Sequence, residues 1–132
     1  MRDAGCEVYP IDHAGNEHRP EVDQLTIDIV TANGLQRLWS LLNELNASDN
    51  VYIVAVLVAV PCGTFSRARE RPIPVSLRRQ GAPNPKPLRS TEFPYGLPDL
   101  VGPNAGRVSS ANAIAKLGAS VLRWGRENAT IP

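Results

Sequence analysis

The run VYIVAVLVAV, residues 51 to 60, constrains this chain more than any other stretch. It is rich in valine, carries no charge and no polar alternation, and runs straight into Pro61, Cys62 and Gly63. A segment with no polar face predicts a central strand buried on both sides, as in a parallel sheet covered by helices. It is about half the length that a bilayer span needs, so no membrane partner is expected. In open α/β sheets, ligands gather beyond the carboxyl ends of the strands. The end of this run is therefore where chemistry is expected. A thiol stands there (Cys62), with a glycine that lets backbone approach a ligand (Gly63), two hydroxyls (Thr64 and Ser66) and three arginines (Arg67, Arg69 and Arg71). The hydroxyls and the main-chain amides beside them suit an anion or a polar ring.

The remaining segments alternate in kind. CEVYPID (6 to 12) reads as a short strand ending at Asp12, and QLTIDIV (24 to 30) as a second strand with Asp28 near its end. The Gly15-Asn16 turn and Pro20 separate the two. Leu35, Leu38, Trp39, Leu42 and Leu45 recur at helical spacing, with Thr31 or Asn33 to cap the start and Asn46 to end it. Residues 72 to 106 hold eight of the chain's twelve prolines and predict a long loop, whose length argues for a functional role. Val108, Ala111, Ile114, Ala115, Gly118, Val121 and Leu122 mark a last helix over 107 to 124, stopped by Gly125. Trp39 and Trp124 fall on helix faces as core residues, while Phe65 and Tyr95, in the loop region, are better placed to stack on a base. This order predicts an α/β fold: a doubly wound, mainly parallel, Rossmann-like sheet with flanking helices, within one domain of 132 residues.

A formal net charge of +1 conceals an uneven spread. Residues 1 to 30 carry seven acids against Arg2 and Arg19, whereas residues 67 to 89 carry seven bases against Glu70. A basic stretch of that density suits phosphate, so Arg67, Arg69, Arg71, Arg78 and Arg79 are expected on a nucleic acid; the alternative is a solvated loop. Cys6 and Cys62 lie far apart, in neither a metal-ligand spacing nor a disulfide framework. A reducing, intracellular compartment, cytoplasmic or nuclear, is the expectation. His13 and His18 sit in a glycine-containing turn with no third ligand nearby, which reads as a solvated loop and not a metal site.

Taken in order, Asp12 after one strand, Asp28 after the next and PCGTFSRAR after a third resemble the class I S-adenosylmethionine-dependent methyltransferases. The pieces PCGTFSRARERP (61 to 72), PLRS (87 to 90), YGLP (95 to 98) and RVSSAN (107 to 112) are similar to a run found in methyltransferase-like proteins of mobile elements. PCGTFS is also similar to the Pro-Cys turn of the cytosine-C5 DNA methyltransferases. The resemblance implies a domain that uses S-adenosylmethionine on nucleic acid, with Asp12 on the ribose hydroxyls, Asp28 near the adenine amine and Pro61 among the residues that bind the cofactor. Cys62 would be the nucleophile that adds to C6 of an extruded cytosine. Gly63, Thr64, Ser66, Arg67, Arg69 and Arg71 would face the substrate. The family's turn carries a second proline where this chain has Val60, and no GxGxG occurs to hold the methionine part of the cofactor. The expectation is thus an incomplete domain, truncated at both ends, inactive by itself and prone to associate through an exposed sheet edge. Two other readings stand beside it: a non-catalytic nucleic-acid-binding module, and a remnant of a mobile element with no selected activity.

Overall fold

The structure is a computed structural model that describes residues 6–15, 23–60 and 62–128; Pro61, His18 and the side chains of Arg67 and Ala68 lie outside that description. The chain divides into two compact units, Met1–Ala55 with Asn128–Pro132, and Val56–Glu127. Both kinds of secondary structure are present, so the protein is mixed α/β, with a two-stranded parallel sheet.

In the first unit, β1 (Ile11–Asp12) pairs with β2 (Leu25–Thr26), Ile11 opposite Leu25 and Asp12 opposite Thr26. Leu25 N donates to Pro10 O at 2.8 Å and Ile27 N to Asp12 O at 2.9 Å. A parallel pair needs a crossover of about a dozen residues, which residues 13 to 24 supply. Both strands lie where the sequence predicts strands, at 6 to 12 and 24 to 30, but each is only two residues long. Val8, Tyr9 and Val30 are exposed, so these outer residues gain little burial from being held in the ladder.

The helix α1 (Ala32–Ala47) follows. Of its two candidate caps, Thr31 serves: its Oγ1 accepts from Gly34 N at 3.0 Å and donates to Asp28 O at 2.8 Å. A Cβ on Gly34 would collide with the Asp28 carbonyl oxygen, so the turn into the helix requires glycine there. Gly34, Leu38 and Leu42 recur every four residues on the buried stripe of α1, and Ile27 completes the small apolar core of this unit.

The second unit corrects the reading of the apolar run. Residues 51 to 60 form no strand, and none of them pairs in a ladder among the described residues. Within this unit Val56 and Val58 are half-buried while Leu57 is 81% exposed, a period of two with one covered face instead of two. The cover comes from α3 (Gly102–Asn128). A Cβ on Gly125 would stand 2.8 Å from Val56 Cγ2, and one on Gly118 2.9 Å from Val58 Cγ1. These glycines, seven residues apart on one helix face, let the valines lie against the helix backbone. Gly125 is therefore a packing position, and α3 continues past it to Asn128 where a stop was predicted. The helix also starts before residue 107, because Pro103 in its first turn gives up no intrahelical bond and Gly102 takes the left-handed φ of 58° that admits the chain.

Within the predicted loop of 72 to 106 a short helix, α2 (Val75–Arg79), forms, residues 102 to 106 belong to α3, and side chains tie down parts of the remainder. Ile73 N donates to Asn84 Oδ1 at 3.1 Å, and Arg69 Nε to Lys86 O at 3.0 Å. Leu88 is the most deeply buried side chain among the described residues and joins Val108, Ala111 and Val121 in the core of this unit. No helix among the described residues is long and apolar enough to cross a membrane.

Candidate functional site

Arg89 organises the second unit. Its Nε donates to Thr64 O at 3.2 Å and its Nη2 to Thr64 Oγ1 at 3.0 Å, fixing the turn that follows the apolar run. Its Nη1 donates to Pro94 O at 2.6 Å and to Asn112 Oδ1 at 2.8 Å, reaching the loop and α3. The guanidinium carbon lies 3.8 Å from the centroid of the Phe65 ring, a cation–π stack. Asn112 in turn donates through Nδ2 to Tyr95 O at 2.8 Å, and Leu97 N donates to Leu88 O at 3.0 Å. Gly96, at a φ of 126°, lets the chain pass Val108, whose Cγ1 would be 2.7 Å from an added Cβ. The guanidinium of Arg89, in PLRS, thus directly joins Thr64 and Phe65 of the turn, Pro94, and Asn112 of RVSSAN, and YGLP is tied to the same cluster through the Asn112 side chain and the Leu88 backbone. Partial desolvation pulls its pKa below the ordinary arginine value, and it remains a cation at neutral pH.

Cys62 opens the 3-10 turn Cys62–Thr64, and its carbonyl accepts from Phe65 N at 2.9 Å and Ser66 N at 2.8 Å. Its side chain is exposed and Cys6 is partly buried, so access favours Cys62 in any thiol reaction. Iodoacetamide at neutral pH is expected to alkylate Cys62 several-fold faster than Cys6, as read by peptide mass spectrometry over time. Equal rates would show that the turn does not present the thiol.

The residues expected to face substrate divide into two roles. Thr64 and Arg69 are structural anchors as well as lining: Thr64 receives Arg89, and Arg69 donates to Lys86 O and, at 3.5 Å, to Gly63 O. Ser66 is half-buried, its amide and carbonyl engaged in the two successive 3-10 turns. Arg71 is exposed at the end of the second turn. Gly63, Thr64 and Arg69 line an open concavity of about 480 Å3, completed by Arg107, Ser110, Ala111 and Ile114 of α3. Above Gly63 there is open space, with no atom within 4 Å of an added Cβ.

Asp12 and Asp28, expected on the cofactor, belong to the first unit and have local partners. Asp12 is half-buried and its Oδ1 accepts from His13 N at 2.7 Å. Asp28 is exposed, its Oδ1 accepts from Val30 N at 3.2 Å, and its carbonyl receives Thr31 N, so it builds the turn into α1. A concavity of the first unit, about 400 Å3 and lined by residues such as Ile27, Gln36, Arg37 and Glu44, includes neither carboxylate. No group of three or more metal-ligating side chains comes together among the described residues.

Arg89, Asn112, Arg107 and Ser110 were not singled out as site residues from the sequence. Three of the four lie in RVSSAN and the other in PLRS, so the signal was the recurrence of those pieces and not any one side chain. Comparison of the chain with protein-family models, with curated proteins and with solved structures finds no match.

Proposed function

We propose that this chain is a methyltransferase-like segment, of the Rossmann-like type, whose second unit contacts nucleic acid, with S-adenosylmethionine as the methyl donor of the class. The observation that carries the reading is that Arg89 joins the Thr64 turn to Asn112, with YGLP tied in through Asn112, and so holds the exposed Cys62 turn beside a concavity lined by two arginines. In that reading Cys62 stands on the substrate side, while Asp12, Asp28 and Pro61 belong to the cofactor side. Isothermal titration with S-adenosylmethionine tests the cofactor half: measurable heat that disappears in Asp12→Ala supports it, and no heat leaves only the nucleic-acid half.

The local use of both carboxylates favours a second reading, a module that binds nucleic acid without catalysis. It needs only the basic segment. Arg69 spends two of its donors on backbone carbonyls and the Arg67 side chain lies outside the description, so the exposed Arg71, Arg78 and Arg79 are taken as the phosphate contacts. With three phosphates neutralised, the slope of log affinity against log salt for duplex DNA is expected near about −2.7, where the five arginines read from the sequence would give about −4.5. Replacing all three by glutamine should take away most of that slope. An unchanged slope in that variant would remove these arginines as the contacts, and a failure of the unaltered chain to bind DNA would remove both readings that involve nucleic acid.

A further inference from the structure

Arg107, Ser110, Ala111 and Ile114 succeed one another at i, i+3, i+4 and i+7, so α3 turns a single face toward the concavity that Gly63, Thr64 and Arg69 complete. Counting donors gives that concavity a definite character. Arg107 is exposed, and its five N–H groups meet no acceptor among the described residues. Arg69 has two of its five engaged, on Lys86 O and Gly63 O. Thr64 Oγ1 accepts from Arg89, which leaves its own proton to donate, and Ser110 adds a second hydroxyl. No acid is among the lining residues, and Ala111 and Ile114 supply an apolar floor. Cations and donors around an apolar floor complement a tetrahedral oxyanion attached to a carbon framework.

We infer that this concavity seats one phosphate ester of a nucleic-acid strand, with Arg107 on the non-bridging oxygens, the Ser110 and Thr64 hydroxyls beside it, and the attached sugar against Ala111 and Ile114. The inference rests on the nucleic-acid reading above and adds a site to it, since Arg107 and Ser110 lie outside the basic segment at 67 to 89.

Calorimetric titrations with thymidine monophosphate, thymidine, inorganic phosphate and a single-stranded oligonucleotide test it, each on the whole chain. Thymidine monophosphate is expected to bind, thymidine not measurably, and inorganic phosphate more weakly than the nucleotide. Arg107→Gln should weaken nucleotide binding about ten-fold, the loss of a charge-assisted contact, and Ser110→Glu should abolish it. Both positions are exposed, so the thermal unfolding midpoint should not move; Arg107→Lys should recover part of the affinity. Equal nucleotide binding by Arg107→Gln, or equal binding of thymidine and its monophosphate, overturns the site. The two ideas fail separately. Oligonucleotide binding without any nucleotide binding removes this site and leaves the basic segment, whereas nucleotide binding without oligonucleotide binding overturns the assignment to a nucleic-acid strand. Arg71→Gln, Arg78→Gln and Arg79→Gln together should weaken the oligonucleotide and leave the nucleotide unaffected.

Discussion

Replacing Arg89 by alanine is expected to destabilise the second unit by about 3 kcal/mol, the sum of several charge-assisted hydrogen bonds, each modest in net effect, and one cation–π stack. The reason is the number of acceptors that one side chain satisfies. Thr64 O, Thr64 Oγ1, Pro94 O and Asn112 Oδ1 all lose their donor together, and the Phe65 ring loses its cover. Lysine should fail to rescue, because a point charge cannot serve acceptors on three segments in the directions that the planar fork reaches. Denaturant unfolding of Arg89→Ala and Arg89→Lys measures this, and amide exchange locates it: Leu97, whose N–H is bonded to Leu88 O, should lose protection along with Phe65 and Ser66. If Arg89→Lys unfolds with the wild-type midpoint, the pieces do not depend on the guanidinium, and the support for the proposed function is withdrawn with it.

How far such a centre was legible in the sequence follows from which interactions are local. Both long helices are readable because their signal repeats every three to four residues: Leu38 and Leu42 fall on the buried stripe of α1, and Val108, Ala111, Gly118 and Val121 on that of α3. Thr31 as a cap is equally local. The parallel pairing of 11–12 with 25–26 agrees with the expected direction, but its extent does not, because strand length depends on neighbours that the strand's own residues do not encode. The apolar run is the sharpest case. Its composition predicts cover on both faces, yet cover is supplied by other segments, and here α3 gives one face only. Arg89 was invisible for a related reason: an arginine among prolines reads as solvated until Thr64, Pro94 and Asn112 are brought to it from 25, 5 and 23 residues away. Asp28 shows the converse, a strand-end carboxylate that invites a ligand role and is engaged in the turn beside it.

Valine placed at both Gly118 and Gly125 should detach residues 56 to 60 from α3, at a cost of about 2 kcal/mol for each site and about 4 kcal/mol together, since the two sites lie far enough apart to act additively. Two effects of opposite sign compete at these positions. Any side chain in place of glycine raises helix propensity, by up to about 1 kcal/mol for alanine and less for valine. Against this, the added atoms fall on Val56 Cγ2 at 2.8 Å and Cβ at 3.2 Å, and on Val58 Cγ1 at 2.9 Å, distances that packed carbon atoms do not tolerate. The valines are short and branched, with little freedom to turn aside, so overpacking wins. Alanine at both glycines tests the sign: a gain in stability near the full propensity benefit would mean that the valines do not lie on the helix. Val56→Ala in a Gly125→Ala background should recover most of the loss if the contact is the cause. The run passes antiparallel along α3, Val56 at Gly125 and Val58 at Gly118, so it delivers the Cys62 turn toward the earlier part of the helix, where Arg107 and Ser110 line the concavity with Gly63 and Thr64. Shifting the valines therefore shifts one wall of the concavity against the other. The glycine-to-valine variants should lose nucleotide binding while Arg89 still anchors Thr64, a separation of positioning from anchoring that the Arg89 variants do not produce.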